Sequence, residues 1–113
     1  MKVQHFSQDE IVVNGERFTC DVVITNETFY SWRHEDPYRL TDGDVQEILR
    51  HEPECVIVGT GVEGTFTVPA ELKAELEDKI DEVRVLQTEE ALDFLDERID
   101  ERKRTIALIH VGC

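Results

Sequence analysis

No run of about 18 apolar residues occurs anywhere in the chain, so no segment is suited to cross a bilayer as a helix. The N-terminus, Met1 to His5, lacks the apolar stretch of a secretory signal. The cytosol is therefore the expected compartment. Cations are also scarce. Four lysines and eight arginines face 26 acidic residues, for a net charge of −14. Such a surface repels DNA, RNA and anionic membranes, so nucleic acid and membrane insertion are excluded as expectations. The cysteines are Cys20, Cys55 and Cys113. Their odd number, without CxxC or zinc spacing, argues against a disulfide framework and a structural metal. Cys20 and Cys55 lie in apolar strand patterns and are expected as buried free thiols. No repeat, low-complexity segment or linker interrupts the 113 residues, so one domain over 1–113 is expected.

What is present begins with strands. Ile11 to Val13 lead into Asn14-Gly15, a strong hairpin signal. The return strand alternates, with Phe18, Cys20, Val22 and Ile24 on one face and a mostly polar opposite face. A further strand over Thr28 to Trp32 and an edge strand over Val3 to Phe6 complete an antiparallel meander within 1–32. Residues 41–113 then alternate helix and strand. Thr41 caps a helix carrying Val45, Ile48 and Leu49. Cys55 to Val58 is an unbroken apolar run, the mark of a strand buried on both faces. Pro69 suits the start of a helix with Leu72, Leu76 and Ile80 inward. Val83 and Val85 alternate around Arg84. Thr88 is read as the cap of the last helix, and Ile106 to Val111 as another strand buried on both faces. Strands joined through helices run parallel with right-handed crossovers. The expected fold is α/β with three layers: a mixed central sheet, helices packed on it, and an added antiparallel β meander.

Three stretches carry candidate chemistry. Gly59-x-Gly61-x-x-Gly64 spells the dinucleotide fingerprint, but its helix begins after Pro69, too late to meet a pyrophosphate. No cofactor is expected. A tight turn is the plain reading; open amides of Gly59, Thr60 and Gly61 forming a nest for a small anion is the other. Parallel strands end on one edge, so this loop, Thr88 and the His110–Cys113 tail should meet there. His110 reads as a hydrogen-bonded structural residue or as an acid or base. A Cys113–His110 nucleophilic pair needs a turn at Gly112. The third stretch, Trp32-Arg33-His34 with Tyr38 and Arg39, is an aromatic and basic cluster suited to a carboxylate, a phosphate or a protein partner. Its plain reading is Trp32 capping the core while the arginines pair with acids. No catalytic residue and no metal site is assigned.

The ordered set Asn14-Gly15, Trp32-Arg33, Val58 to Gly61, Val68-Pro69, Thr88 to Ala91 and His110 to Cys113 resembles a domain-of-unknown-function family. That family includes the adipogenesis-associated domain proteins and a mitochondrial assembly factor of respiratory complex I. The resemblance spans essentially the whole chain and departs at Gly112 and Leu95-Asp96. It implies a three-layer α/β fold with a mixed sheet and an added β layer, and no enzyme activity or cofactor. The function expected is a non-catalytic interaction or assembly module with a protein partner. The alternative is a small-molecule or anion binder, or an enzyme, using the strand-end crevice. The acids repeat at i, i+4 along the last helix, as in Asp93, Glu97 and Glu101. That spacing is self-repelling and suits a salt-rich cytoplasm.

Overall fold

The computed structural model describes residues 3–7, 10–33 and 36–111. A three-stranded antiparallel sheet holds β1 (Val3–Phe6), β2 (Ile11–Val13) and β3 (Glu16–Phe18). A five-stranded sheet has β4 (Val22–Thr25), β5 (Phe29–Ser31), β6 (Cys55–Gly59), β7 (Glu82–Leu86) and β8 (Thr105–Ile109), in the order β5-β4-β8-β6-β7. The helices are α1 (Asp42–Arg50), α2 (Ala70–Lys79) and α3 (Thr88–Asp100). Strands β6, β7 and β8 are parallel, while β4 is antiparallel to both β8 and β5.

The central strands are the two continuous apolar runs. Every residue of β6 and β8 is buried, because each strand is hydrogen-bonded on both sides and covered on both faces. One face meets α1 and α2 through Val45, Ile48, Leu76 and Ile80. The other meets α3 and β2 through Leu92, Leu95, Ile11 and Val13. Helix α1 starts in a reciprocal cap. The Thr41 hydroxyl accepts from the Asp44 amide, and the Asp44 carboxylate accepts from the Thr41 amide at 2.9 Å, a device worth about 1 kcal/mol. Asn14 and Gly15 both have positive φ, 48° and 82°, as the tight turn between β2 and β3 requires.

Three expectations are corrected here. The return strand is not continuous. It breaks at Thr19 to Asp21, so β3 stays in the small sheet while β4 and β5 join the large one. The meander is thereby split between two layers. Val23, placed on the polar face by alternation, is buried against the α1 side, because β4 is covered above and below. Cys20 is exposed and disulfide-bonded rather than a buried thiol. It stands in the break between the sheets, where the side chain leaves the core. Cys55 is buried and free as expected. Burial and the neighbouring Glu82 push its thiol up to about 12, so it is unreactive at neutral pH.

Glu82 and Arg98 brace the amino end of the sheet. The guanidinium grips the carboxylate with two bonds of 2.7 and 3.0 Å and lies 4.0 Å over the Phe94 ring. Hydrogen bonding to Arg98 lowers the Glu82 carboxyl to about 2, against an opposing effect of burial. No described helix is long and apolar enough to cross a membrane.

Candidate functional site

Since β5, β8, β6 and β7 run the same way, their carboxyl ends share one edge of the sheet. Chain direction alone brings Trp32, His110, the Gly59–Gly61 turn and the start of α3 to that edge. The main chain ties them together. The His110 amide donates to the Gly59 carbonyl at 2.9 Å, and the Thr88 amide donates to the Gly61 carbonyl at 3.2 Å. The Thr88 hydroxyl accepts from the Gly61 amide at 2.8 Å and donates to the His110 carbonyl at 3.1 Å. The N-cap position of α3 belongs to Gln87. Thr88, expected there, is instead the first helical residue and a buried bridge between two strand ends.

The glycine loop closes on itself. The Thr60 amide donates to the Leu86 carbonyl, and the Gly61 amide is taken by Thr88. The expectation of open amides at these two positions is therefore corrected: tight packing consumes them. Gly61 has φ +101°, and a Cβ there would lie 2.9 Å from His110 Cδ2. Only glycine fits such a place without strain.

His110 is buried and its Nδ1 lies 2.9 Å from Asp21 Oδ2. A carboxylate only accepts, so Nδ1 carries the proton. The other oxygen of Asp21 accepts from the Val111 amide at 2.7 Å. The Phe66 ring stands between Trp32 and His110, with centroids 5.2 and 5.3 Å away. The cluster Trp32–Phe66–His110–Asp21 thus joins the Trp-Arg loop to the strand ends. Asp21, Phe66 and Asp44 were not singled out in the sequence. Asp44 was open to recognition as the third helical residue after Thr41. Asp21 had no such signal, since its partner is 89 residues further along the chain.

Trp32 is 8% exposed, and its indole donates to Asp44 Oδ1 at 3.0 Å. It packs in the core and props α1 against the sheet. Arg33 and Arg39 point outward, and among the described residues neither is in an ion pair. His34 and Cys113 lie outside the described residues. A groove of about 590 Å³ opens beside this loop, lined by Tyr30, Ser31, Trp32, Arg33, Asp44 and Glu47 among others. Burial first, then the Glu47 carboxylate, raises the Tyr30 phenol above its ordinary value. A second surface is set by two loops. The Leu40 amide donates to the Thr67 carbonyl and the Thr67 amide to the Tyr38 carbonyl, both at 2.9 Å. This pairing holds the 36–40 turn beside the segment that follows the glycine turn. Tyr38 and Val62, one on each loop, are 66% and 46% exposed. Among the described residues, no group of three or more His, Cys, Asp and Glu side chains is placed to hold a metal.

The fold and this edge define a small mixed α/β domain whose strand ends are tied together by hydrogen bonds. The chain belongs to the family described as "Protein of unknown function (DUF498/DUF598)", whose model matches residues 3–110. Its structure is similar to that of the conserved hypothetical protein PH1505 from Pyrococcus horikoshii, at 29% identity over the whole of both chains and a TM-score of 0.86. It is similar to XCC1710 of Xanthomonas campestris at 14% identity, covering 98% of this chain and 84% of that one, with a TM-score of 0.82. A Bordetella pertussis protein described as a Mth938-like domain matches at 18% identity, covering 96% and 84%, with a TM-score of 0.66.

Proposed function

We propose that the chain is a non-catalytic protein-interaction or assembly module of the cytosol, docking through the paired loops at the carboxyl edge of the sheet. One observation carries this reading. The exposed large apolar side chains among the described residues, Tyr38 and Val62, both sit on these loops. Arg33 and Arg39 stand on the same stretch with no described ion-pair partner. Tyrosine and arginine are favoured anchors at interfaces. Tyr38 and Arg39 adjoin in sequence and are both exposed, which supports a contact with a partner on a chain of net charge −14. The resemblance to a family that includes an assembly factor points the same way.

The test is affinity capture from native lysate with quantitative mass spectrometry. The Tyr38→Ala/Val62→Ser double variant and Arg39→Glu are expected to lose a defined set of captured proteins while melting like the wild type. An unchanged set would remove this surface from consideration.

A second reading is a small-ligand or anion binder, or an enzyme. Its support is the groove of about 590 Å³ beside Trp32 and Arg33, a volume in the range of ligand sites. A thermal-shift screen with metabolites at physiological salt separates the two readings. Stabilisation by a small anion, lost in Arg33→Ala, would favour the groove.

A further inference from the structure

We infer that the groove between β5 and α1 takes an extended acidic peptide, added to the free edge of β5 as a further strand. One apolar side chain of the peptide enters the groove and a carboxylate meets Arg33. The surface is separate from the paired loops of Tyr38 and Val62 and does not depend on them. It assigns the groove of the second reading to a chain instead of a small molecule. β5 is the last strand of its sheet, and its only neighbour is β4. The Trp32 amide donates to the Asp21 carbonyl, and the Thr25 amide to the Thr28 carbonyl. Val23 stands opposite Tyr30 between these two pairs. The alternation of an antiparallel ladder therefore turns the Tyr30 main chain toward β4 and that of Phe29 and Ser31 outward. Among the described residues, none bonds to those outward groups.

The shape of the groove favours a strand over a compact ligand. Four consecutive residues, Tyr30 to Arg33, line one wall, and Gly43 and Glu47, one turn apart on α1, line the other. The space of about 590 Å³ thus runs along the edge strand, with the helix as its far side. Two bonds from strand to helix fix its width. The Tyr30 phenol donates to Glu47 Oε1 at 3.4 Å, and the Trp32 indole to Asp44 Oδ1 at 3.0 Å. A groove built in advance costs little to fill. Every second side chain of an added strand would point to the α1 side of the sheet, where Val23, Tyr30 and Trp32 pack. Strand addition works in this way: main-chain bonds supply affinity and alternate side chains supply specificity. A compact ligand would leave the outward groups of β5 to water. Charge then sets the chemistry at one end. Arg33 lines the groove just past β5, exposed and in no ion pair with a described residue. Glu47 is already matched by Arg50 at 2.7 Å. The cation left over suits a carboxylate.

Selection from a phage-displayed library of linear peptides at physiological salt tests this, followed by fluorescence anisotropy on the enriched peptides. They are expected to share an apolar residue and an Asp or Glu. Non-specific attraction to a chain of net charge −14 would enrich basic peptides instead. Methylating single peptide amides should weaken binding by about tenfold at every second position and hardly at all between. Arg33→Glu should weaken binding by about tenfold, and a peptide with its acid changed to Lys should recover it on that variant. Gly43→Leu, at an exposed helical position, should block the groove without lowering the melting temperature. Enrichment of no peptide or of basic peptides only overturns the inference, as does a methylation pattern without period two. So does peptide binding that neither Arg33→Glu nor Gly43→Leu weakens. A small anion that stabilises the protein through Arg33 while no peptide is enriched would leave the second reading standing without this one. A dimer broken by Gly43→Leu, again with no peptide enriched, would give the groove to a second copy and overturn it too.

Discussion

The Thr88 hydroxyl joins three parts of the chain that lie far apart in sequence. It accepts from Gly61 and donates to His110, in a place with no exposure. Replacing it with valine keeps the shape but leaves a buried amide and a buried carbonyl without partners. Thr88→Val is expected to cost about 2–3 kcal/mol in urea unfolding, while Thr88→Ser, which keeps the hydroxyl, should cost less than half as much. Equal losses in the two variants would show that packing, not hydrogen bonding, sets the value of this residue. The threonine was legible as a helix start because a Thr before acidic residues is a local signal. Its bridging role was not, because that depends on where two other strands end. The same holds for Cys20, which alternation assigned to the core and which stands exposed where the chain changes sheets.

Among the elements, the contact of α3 with β7 makes the clearest prediction. Arg98, on α3, holds Glu82, on β7, with paired bonds and keeps the carboxyl near 2. Its folded value lies below its ordinary one. The contribution is therefore complete above about pH 5 and fades as the pH falls toward about 2. Arg98→Ala is expected to lower the urea midpoint at neutral pH, because Glu82 then keeps its charge without the partner that compensates it. In that variant, stability should fall less steeply between about pH 5 and 2 than in the wild type. Parallel pH curves for the two would show that other carboxylates govern acid unfolding. The element pattern itself was read well. Unbroken apolar runs predicted β6 and β8, and 3.6-residue periodicity predicted the inward faces of α1 and α3. The long return strand failed because alternation reports which side chains are apolar, not which sheet a strand joins.

For the molecule as a whole, charge decides the sharpest expectation. Asp93, Glu97 and the C-cap residue Glu101, and likewise Asp96 and Asp100, stand exposed one turn apart along α3 and its end, and the whole chain carries −14. If the protein is suited to a salt-rich cytoplasm, its melting temperature rises from low to molar KCl as these repulsions are screened. A melting point no higher in molar KCl would leave an ordinary acidic protein.

By itself the sequence determined the class of fold, the two strands at its centre and the edge where their ends collect. Periodicity and turn chemistry act between near neighbours, and chain direction follows from the helical connections. Only the tertiary structure decided that Asp21 meets His110, that Phe66 fills the space between His110 and Trp32, and that β4 and β5 leave the meander for the central sheet. Those outcomes depend on layers of apolar surface closing over each other. Residues far apart in the chain become neighbours there because burial, not sequence distance, sets who must satisfy whom.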